Sequence, residues 1–110
     1  MNNISEKDWR LFKEKLPVWQ EGHMARLNEQ YIKILSGKAS ASQKFWTLEK
    51  RINRDKRSCG VLAEMRKSEV VPCILELLTN DIITFSDLDG FSEELLACVK
   101  NVTGLPKREQ

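Results

Sequence analysis

Apolar residues recur along the chain at three- and four-residue intervals, the period of an α-helix. Ser5-Glu6-Lys7-Asp8 reads as a helix start, with a Ser cap and an acid three residues later. Trp9, Phe12, Leu16 and Trp19 follow on one face. Met24, Leu27, Tyr31 and Ile34 repeat the spacing after a shift of five. Pro17 and Gly22 flank that shift. Proline lacks an amide donor and crowds the preceding turn, so the pattern predicts a kink or break near Lys15–Leu16. A longer helix then runs to Ser36 and stops at Gly37.

Ser40-Ala41-Ser42-Gln43 has the form of a capping box for the next helix. Its apolar stripe is Phe45, Leu48 and Ile52, and it runs to about Lys56, before Ser58-Cys59-Gly60. Val61, Leu62, Met65, Val70, Ile74, Leu77 and Leu78 continue the helical pattern around Pro72. One kinked helix is expected there; the alternative is a fresh helix capped by Ser68 with Pro72 in its first turn. Asn80-Asp81 breaks the pattern, and Ile82-Ile83 is too short to make a sheet alone. Thr84-Phe85-Ser86-Asp87 opens one or two turns that close at Gly90. Ser92-Glu93-Glu94 starts a last helix carrying Leu95, Leu96, Val99 and Val102, ended by Gly104. The expected fold is all-α: a compact single domain over 1–110, a bundle of about five helices, with 1–4 and 105–110 frayed.

Composition agrees with this picture and narrows the function classes. A chain of 110 residues with 41% hydrophobic and 31% charged positions fits one globular domain. No apolar run approaches the ~20 residues of a spanning helix. The N-terminus lacks an apolar signal core, so a cytoplasmic location and no membrane partner are expected. Three cysteines suggest no disulfide framework, and one histidine excludes a His-based metal cluster. Net charge is +2, but its distribution is uneven. Residues 44–67 hold eight basic and three acidic groups, whereas 68–110 hold three basic and eight acidic. Such asymmetry marks either a polyanion-binding face or two blocks that pair or solvate within the fold.

The sequence argues against most enzyme chemistry, and neither an enzyme nor a cofactor is expected. His23 sits in no motif that supplies a nucleophile and an orienting group. Cys59 lies between Lys56-Arg57 and an expected helix start, the setting that lowers a thiol pKa, but the preferred reading is that it merely fills a turn. A thiol enzyme would need Cys59 exposed with His23 a few ångströms away. Cys73 and Cys98 read as small core residues. Asp81, Asp87, Asp89 and Gly90 invite a calcium loop, but with Gly90 at the sixth position the first and twelfth are Phe85 and Leu96.

The helix beginning near Ser42 is the sharpest feature. At about 100° per residue, Lys50, Arg54 and Arg57 fall nearly opposite Phe45, Leu48 and Ile52, with Trp46 on the basic side, about 125° from the centre of the apolar stripe. Arg51 and Lys44 broaden this surface. The expected arrangement has the apolar stripe turned inward and Trp46, Lys50, Arg54, Arg57, Arg51 and Lys44 forming a partner-binding face. Such a face suits a protein interface, where Trp and Arg are common anchors. It also suits nucleic acid, whose phosphates take cations and whose bases stack on aromatics. The plainest alternative is a solvated helix side with Trp46 under a neighbouring helix.

Four stretches together, Leu16-Pro17-Val18-Trp19-Gln20-Glu21, Lys44 through Ile52, Met65-Arg66-Lys67-Ser68 and Ile83 through Ser92, resemble a family of small uncharacterised all-helical proteins of Gram-positive bacteria and their mobile elements. Some relatives carry a "multidrug transporter" label, which this chain's composition does not support. The family pattern does not have proline at position 72. The resemblance implies a cytoplasmic accessory role and carries over no catalytic or ligand residue. The expected function is therefore that of a small non-enzymatic accessory or regulatory protein of a mobile element, binding a macromolecule through a basic helix face, protein ahead of nucleic acid. One alternative is an inhibitor of a host defence nuclease (anti-CRISPR-like) acting by occlusion, its acidic 68–110 segment imitating nucleic-acid charge. Another is a homodimerising module with an apolar patch around Met24 and Tyr31, so both monomer and homodimer remain open.

Overall fold

A computed structural model describes residues 4–103. Among them the chain is helical, without strands: α1 (Glu6–Ser36), α2 (Ala41–Asp55), α3 (Val70–Thr79) and α4 (Glu93–Thr103), with 3-10 turns at Lys67–Glu69 and Phe85–Leu88. The expected all-α class holds, with four α-helices where about five were anticipated.

The first difference is α1, which runs unbroken for 31 residues through Pro17. Ser5 caps it, accepting from the Asp8 amide. The five-residue shift in its stripe explains the continuity. Five residues advance the helix by about 500°, so the apolar face rotates by only about 60° relative to the first half. A single helix can therefore turn one side to one neighbour and then, farther along, an adjacent side to another. The ring of Pro17 is exposed, and burial of Phe12 and Leu16 before it and Leu27 after it offsets the lost backbone bond.

The second difference lies after α2. Residues 61–66 are irregular, and the expected kinked helix does not form. Instead α3 starts at Val70, preceded by the Lys67–Glu69 turn and without a side-chain cap. Pro72 occupies its first turn, where its missing N–H has no helical acceptor anyway. The helix ends with Asp81 at φ 59°, Ile82 N donating to Leu77 O and Asp81 N to Leu78 O. That pairing is a Schellman motif, with Asp81 taking the left-handed position.

α3 is the centre of the molecule. Val70, Val71, Cys73, Ile74, Leu77 and Leu78 are all buried, so it is apolar nearly all round. Phe12 and Leu16 of α1, Ile83, Leu88, Phe91, and Leu95 and Val99 of α4 close around it. Ile4 is also buried in this cluster, so the expected fraying does not reach it; residues 1–3, Gly104 and the 105–110 tail lie outside the described residues. Asp8 is wholly buried and ties the two ends of the head together. Its carboxylate accepts from Ser92 N at 2.9 Å and Ser92 Oγ at 2.6 Å, at the N-terminus of α4.

No residue of α2 belongs to this core. The second half of α1 and α2 form an antiparallel hairpin that extends from the head. A helix the length of α1 spans about 46 Å, and the molecule measures 52 × 32 × 19 Å. Its radius of gyration, 16.5 Å, exceeds the ~13 Å of a compact chain of this size. The expected compact bundle is thus a compact head with a projecting arm.

Candidate docking surface on the α1–α2 hairpin

α2 begins as the sequence indicates. Ser40 Oγ accepts from Gln43 N at 3.3 Å and the Gln43 side chain accepts from Ser40 N at 3.2 Å, closing a capping box. The helix then meets α1 along Lys44, Leu48, Arg51 and Asp55, its half-buried positions, spaced four, three and four. Asp55 accepts from the Tyr31 hydroxyl at 2.5 Å. Arg51 donates to Gln30 Oε1 at 2.5 Å, pairs with Asp55 at 3.8 Å and lies over the Tyr31 ring. Burial and the Asp55 carboxylate push the Tyr31 hydroxyl up to about 12. The half-buried positions of α2 are polar except for Leu48, and hydrogen bonding and cation–π contact fix their register on α1.

This seam overturns the expected orientation. The inward side of α2 is turned by about 60° from the Phe45–Leu48–Ile52 stripe. Phe45 is therefore 62% exposed, and Ile52 is exposed beside it. Of the six residues expected on the outward face, Arg51 and Lys44 are turned towards α1 instead. The place of Arg51 is set by its Tyr31, Gln30 and Asp55 partners on the seam, and Lys44 is half-buried on the same side.

The other four lie together on the outer side. Trp46 is 57% exposed, with its ring edge-on to Phe45 at 4.9 Å between centroids. Lys50, Arg54 and Arg57 are exposed. Arg54 pairs at 3.3 Å with Asp55, its chain neighbour, while the side chains of Lys50 and Arg57 make no hydrogen bond or ion pair among the described residues. Two further cations of the basic segment are paired, Arg66 with Glu64 and Lys67 with Glu6 of α1 at 2.7 Å. The Lys67 ammonium also holds the Glu6 carboxyl below its ordinary range. Sequence periodicity missed the exposed apolar side, because a four-three-four stripe of Lys, Leu, Arg and Asp has no hydrophobic signal.

The cysteine site is structural in its geometry. Cys59 N donates to Glu76 Oε2 at 2.7 Å and its thiol to Glu76 Oε1 at 3.5 Å, while Gln20 Nε2 donates to Cys59 O at 2.9 Å. Burial and the nearby Glu76 carboxylate push this thiol up, away from the thiolate a nucleophile needs. Burial does the same for Cys73 more strongly. Cys73 is in the core and Cys98 packs against it, as expected of small apolar residues. His23 lies against Gly60, where a Cβ would come within 2.6 Å of its ring. Burial, then Arg26, lowers the imidazole pKa.

Among the described residues, no helix is long and apolar enough to cross a membrane. Compared with family models, curated proteins and solved structures, the chain matches none.

Proposed function

We propose that this protein is a non-catalytic accessory or regulatory factor that docks onto another protein through the hairpin arm, with Trp46, Lys50, Arg54 and Arg57 as the contact face. The observation that carries the reading is that α2 contributes no residue to the core and yet is held on α1 by the Tyr31–Asp55 and Gln30–Arg51 hydrogen bonds. Its exposed aromatic pair and exposed cations are then available together. A large aromatic with adjacent Arg is the composition of an interface anchor, and its apolar bulk favours a pocket with an acidic rim. A surface made for phosphates alone has no use for exposed Phe45 and Ile52, which is why a protein partner is preferred to nucleic acid. The accessory role implied by the family resemblance is consistent with this reading.

The test is affinity capture from a bacterial lysate with the native protein, Trp46→Ala and a Lys50→Glu/Arg54→Glu/Arg57→Glu variant. A specific protein retained by the native chain alone supports the reading. Trp46→Ala should weaken that complex by about 2 kcal/mol, or about thirtyfold in Kd. Identical capture by all three proteins would remove the face from consideration. A gel shift on mixed DNA and RNA that fades steeply with salt and vanishes in the triple variant would transfer the face to nucleic acid.

A further inference from the structure

Cys59 lies four residues beyond the end of α2, where the arm returns to the head. Its backbone is held from two sides. Cys59 N donates to Glu76 Oε2 of α3 at 2.7 Å, and Gln20 Nε2 of α1 donates to Cys59 O at 2.9 Å. The Cys59 thiol also lies on α3, 3.5 Å from Glu76 Oε1. Cys73 precedes Glu76 by three residues, so the two side chains share one face of α3. The Cys59 and Cys73 thiols meet on that face as hydrogen-bond partners. Cys59 is half-buried and Cys73 is buried, so a small reagent reaches the first thiol before the second.

We propose that Cys59 and Cys73 form an oxidisable pair, closed to an intramolecular disulfide by a peroxide, in which Cys59 reacts first and Cys73 resolves it. In the first step Cys59 gives its proton to solvent and its sulfur attacks one peroxide oxygen. The O–O bond breaks, leaving a sulfenic acid on Cys59 and a hydroxide that takes up a proton. In the second step the Cys73 sulfur attacks the Cys59 sulfur. The S–O bond breaks, and the hydroxyl leaves as water with the Cys73 proton. The two thiols lose two electrons between them, and one hydrogen peroxide becomes two waters.

Burial and the Glu76 carboxylate keep the Cys59 thiol protonated, which makes the first step slow. The second step joins groups already side by side, so the sulfenic acid is captured before it takes up more oxygen. The bridge closes residues 59–73 into a loop that contains the irregular 61–66 stretch, and it fastens the base of the arm to α3. This goes beyond the docking reading and uses none of Trp46, Lys50, Arg54 and Arg57.

The test treats the full chain with hydrogen peroxide at neutral pH and reads intact mass and free thiols in denaturant, before and after dithiothreitol. The native protein should lose two hydrogens in mass and two of its three thiols, and the reductant should restore both. Cys98→Ser should close its remaining pair in the same way. Cys59→Ser should form no internal disulfide, and Cys73→Ala should stop at oxygen added to Cys59. Far-UV circular dichroism checks that each variant is folded; Cys59→Ser, at a half-buried position, keeps the comparison if Cys73→Ala unfolds. Trp46→Ala should oxidise like the native chain, so failure of the docking face and failure of the pair are separable. A native protein that only gains oxygen or links to a second chain, a disulfide lost in Cys98→Ser, or one retained in Cys59→Ser would overturn the proposal.

Discussion

Replacing Asp8 by alanine should destabilise the head severely, although position 8 lies in the first turn of a helix, where polar residues are normally exposed and tolerant. Asp8 is 0% exposed, and its two oxygens accept from Ser92 N and Ser92 Oγ at 2.9 and 2.6 Å. The same Oγ accepts from Leu95 N at 3.2 Å, so Asp8 orients the cap of α4. Hydrogen bonds to a charged group contribute about 1.5–3 kcal/mol each. Ser92 is half-buried, so water recovers part of the loss, and about 3 kcal/mol is expected for Asp8→Ala. Against a total stability of about 5–15 kcal/mol, that lowers Tm by about 15 °C. Asp8→Asn retains an acceptor for Ser92 N but loses the charge, and should cost about half as much. Urea titration followed by far-UV circular dichroism measures each value. The cycle Asp8→Ala, Ser92→Ala and the double variant isolates the Oγ–carboxylate bond, with an expected coupling of about 1–2 kcal/mol. A loss under about 0.5 kcal/mol for Asp8→Ala, or additive single effects in the cycle, would refute the reasoning.

Other elements give equally direct expectations. Gly60→Ala places a Cβ 2.6 Å from the His23 ring and 2.9 Å from Ile82 Cδ1, so overpacking should cost about 1–3 kcal/mol in chemical denaturation; His23→Ala in the same chain should relieve most of it. Pro17→Ala restores an amide donor inside α1 and should stabilise by about 1–3 kcal/mol, read as a higher Tm; no gain would mean that the helix depends on the ring at that point. Tyr31 is the single tyrosine, so its ultraviolet titration is clean. Its folded pKa, near 12, lies above the unfolded value near 10. The contact's stabilisation is therefore complete below about pH 10 and is lost as pH rises through about 12. Asp55→Asn should move the phenolate transition down, and an unmoved transition would separate the two groups. For His23 the sign is opposite: a folded pKa lowered by burial favours the neutral ring, so stability is present above the ordinary histidine value and declines as pH falls below it. His23→Gln should flatten that part of the stability profile.

The helices themselves were legible because their signals are local. Ser5 and Ser40 cap where their side chains reach an amide three residues on, and Asp81 ends α3 because the chain needs a residue that tolerates positive φ. The apolar runs of α3 and α4 also identified the core, since Ile74, Leu77, Leu95 and Val99 have too few polar neighbours to face water. Residues 61–66 misled, because a short apolar spacing does not distinguish a helix from an irregular stretch of chain.

Amino-acid order alone thus determined the helical class, most helix starts and the membership of the head's core, all of which follow from propensity, capping and burial within a few residues of one another. Only the tertiary structure decided that α1 passes straight through Pro17, that Asp8 is a buried link to Ser92, and which side of α2 meets α1. The first depends on partners that differ between the two halves of the helix. The second joins residues far apart in the chain. The third was settled by Tyr31, Gln30, Arg51 and Asp55, whose bonds exist only after the arm closes, and they outweigh the apolar stripe that periodicity marked as inward.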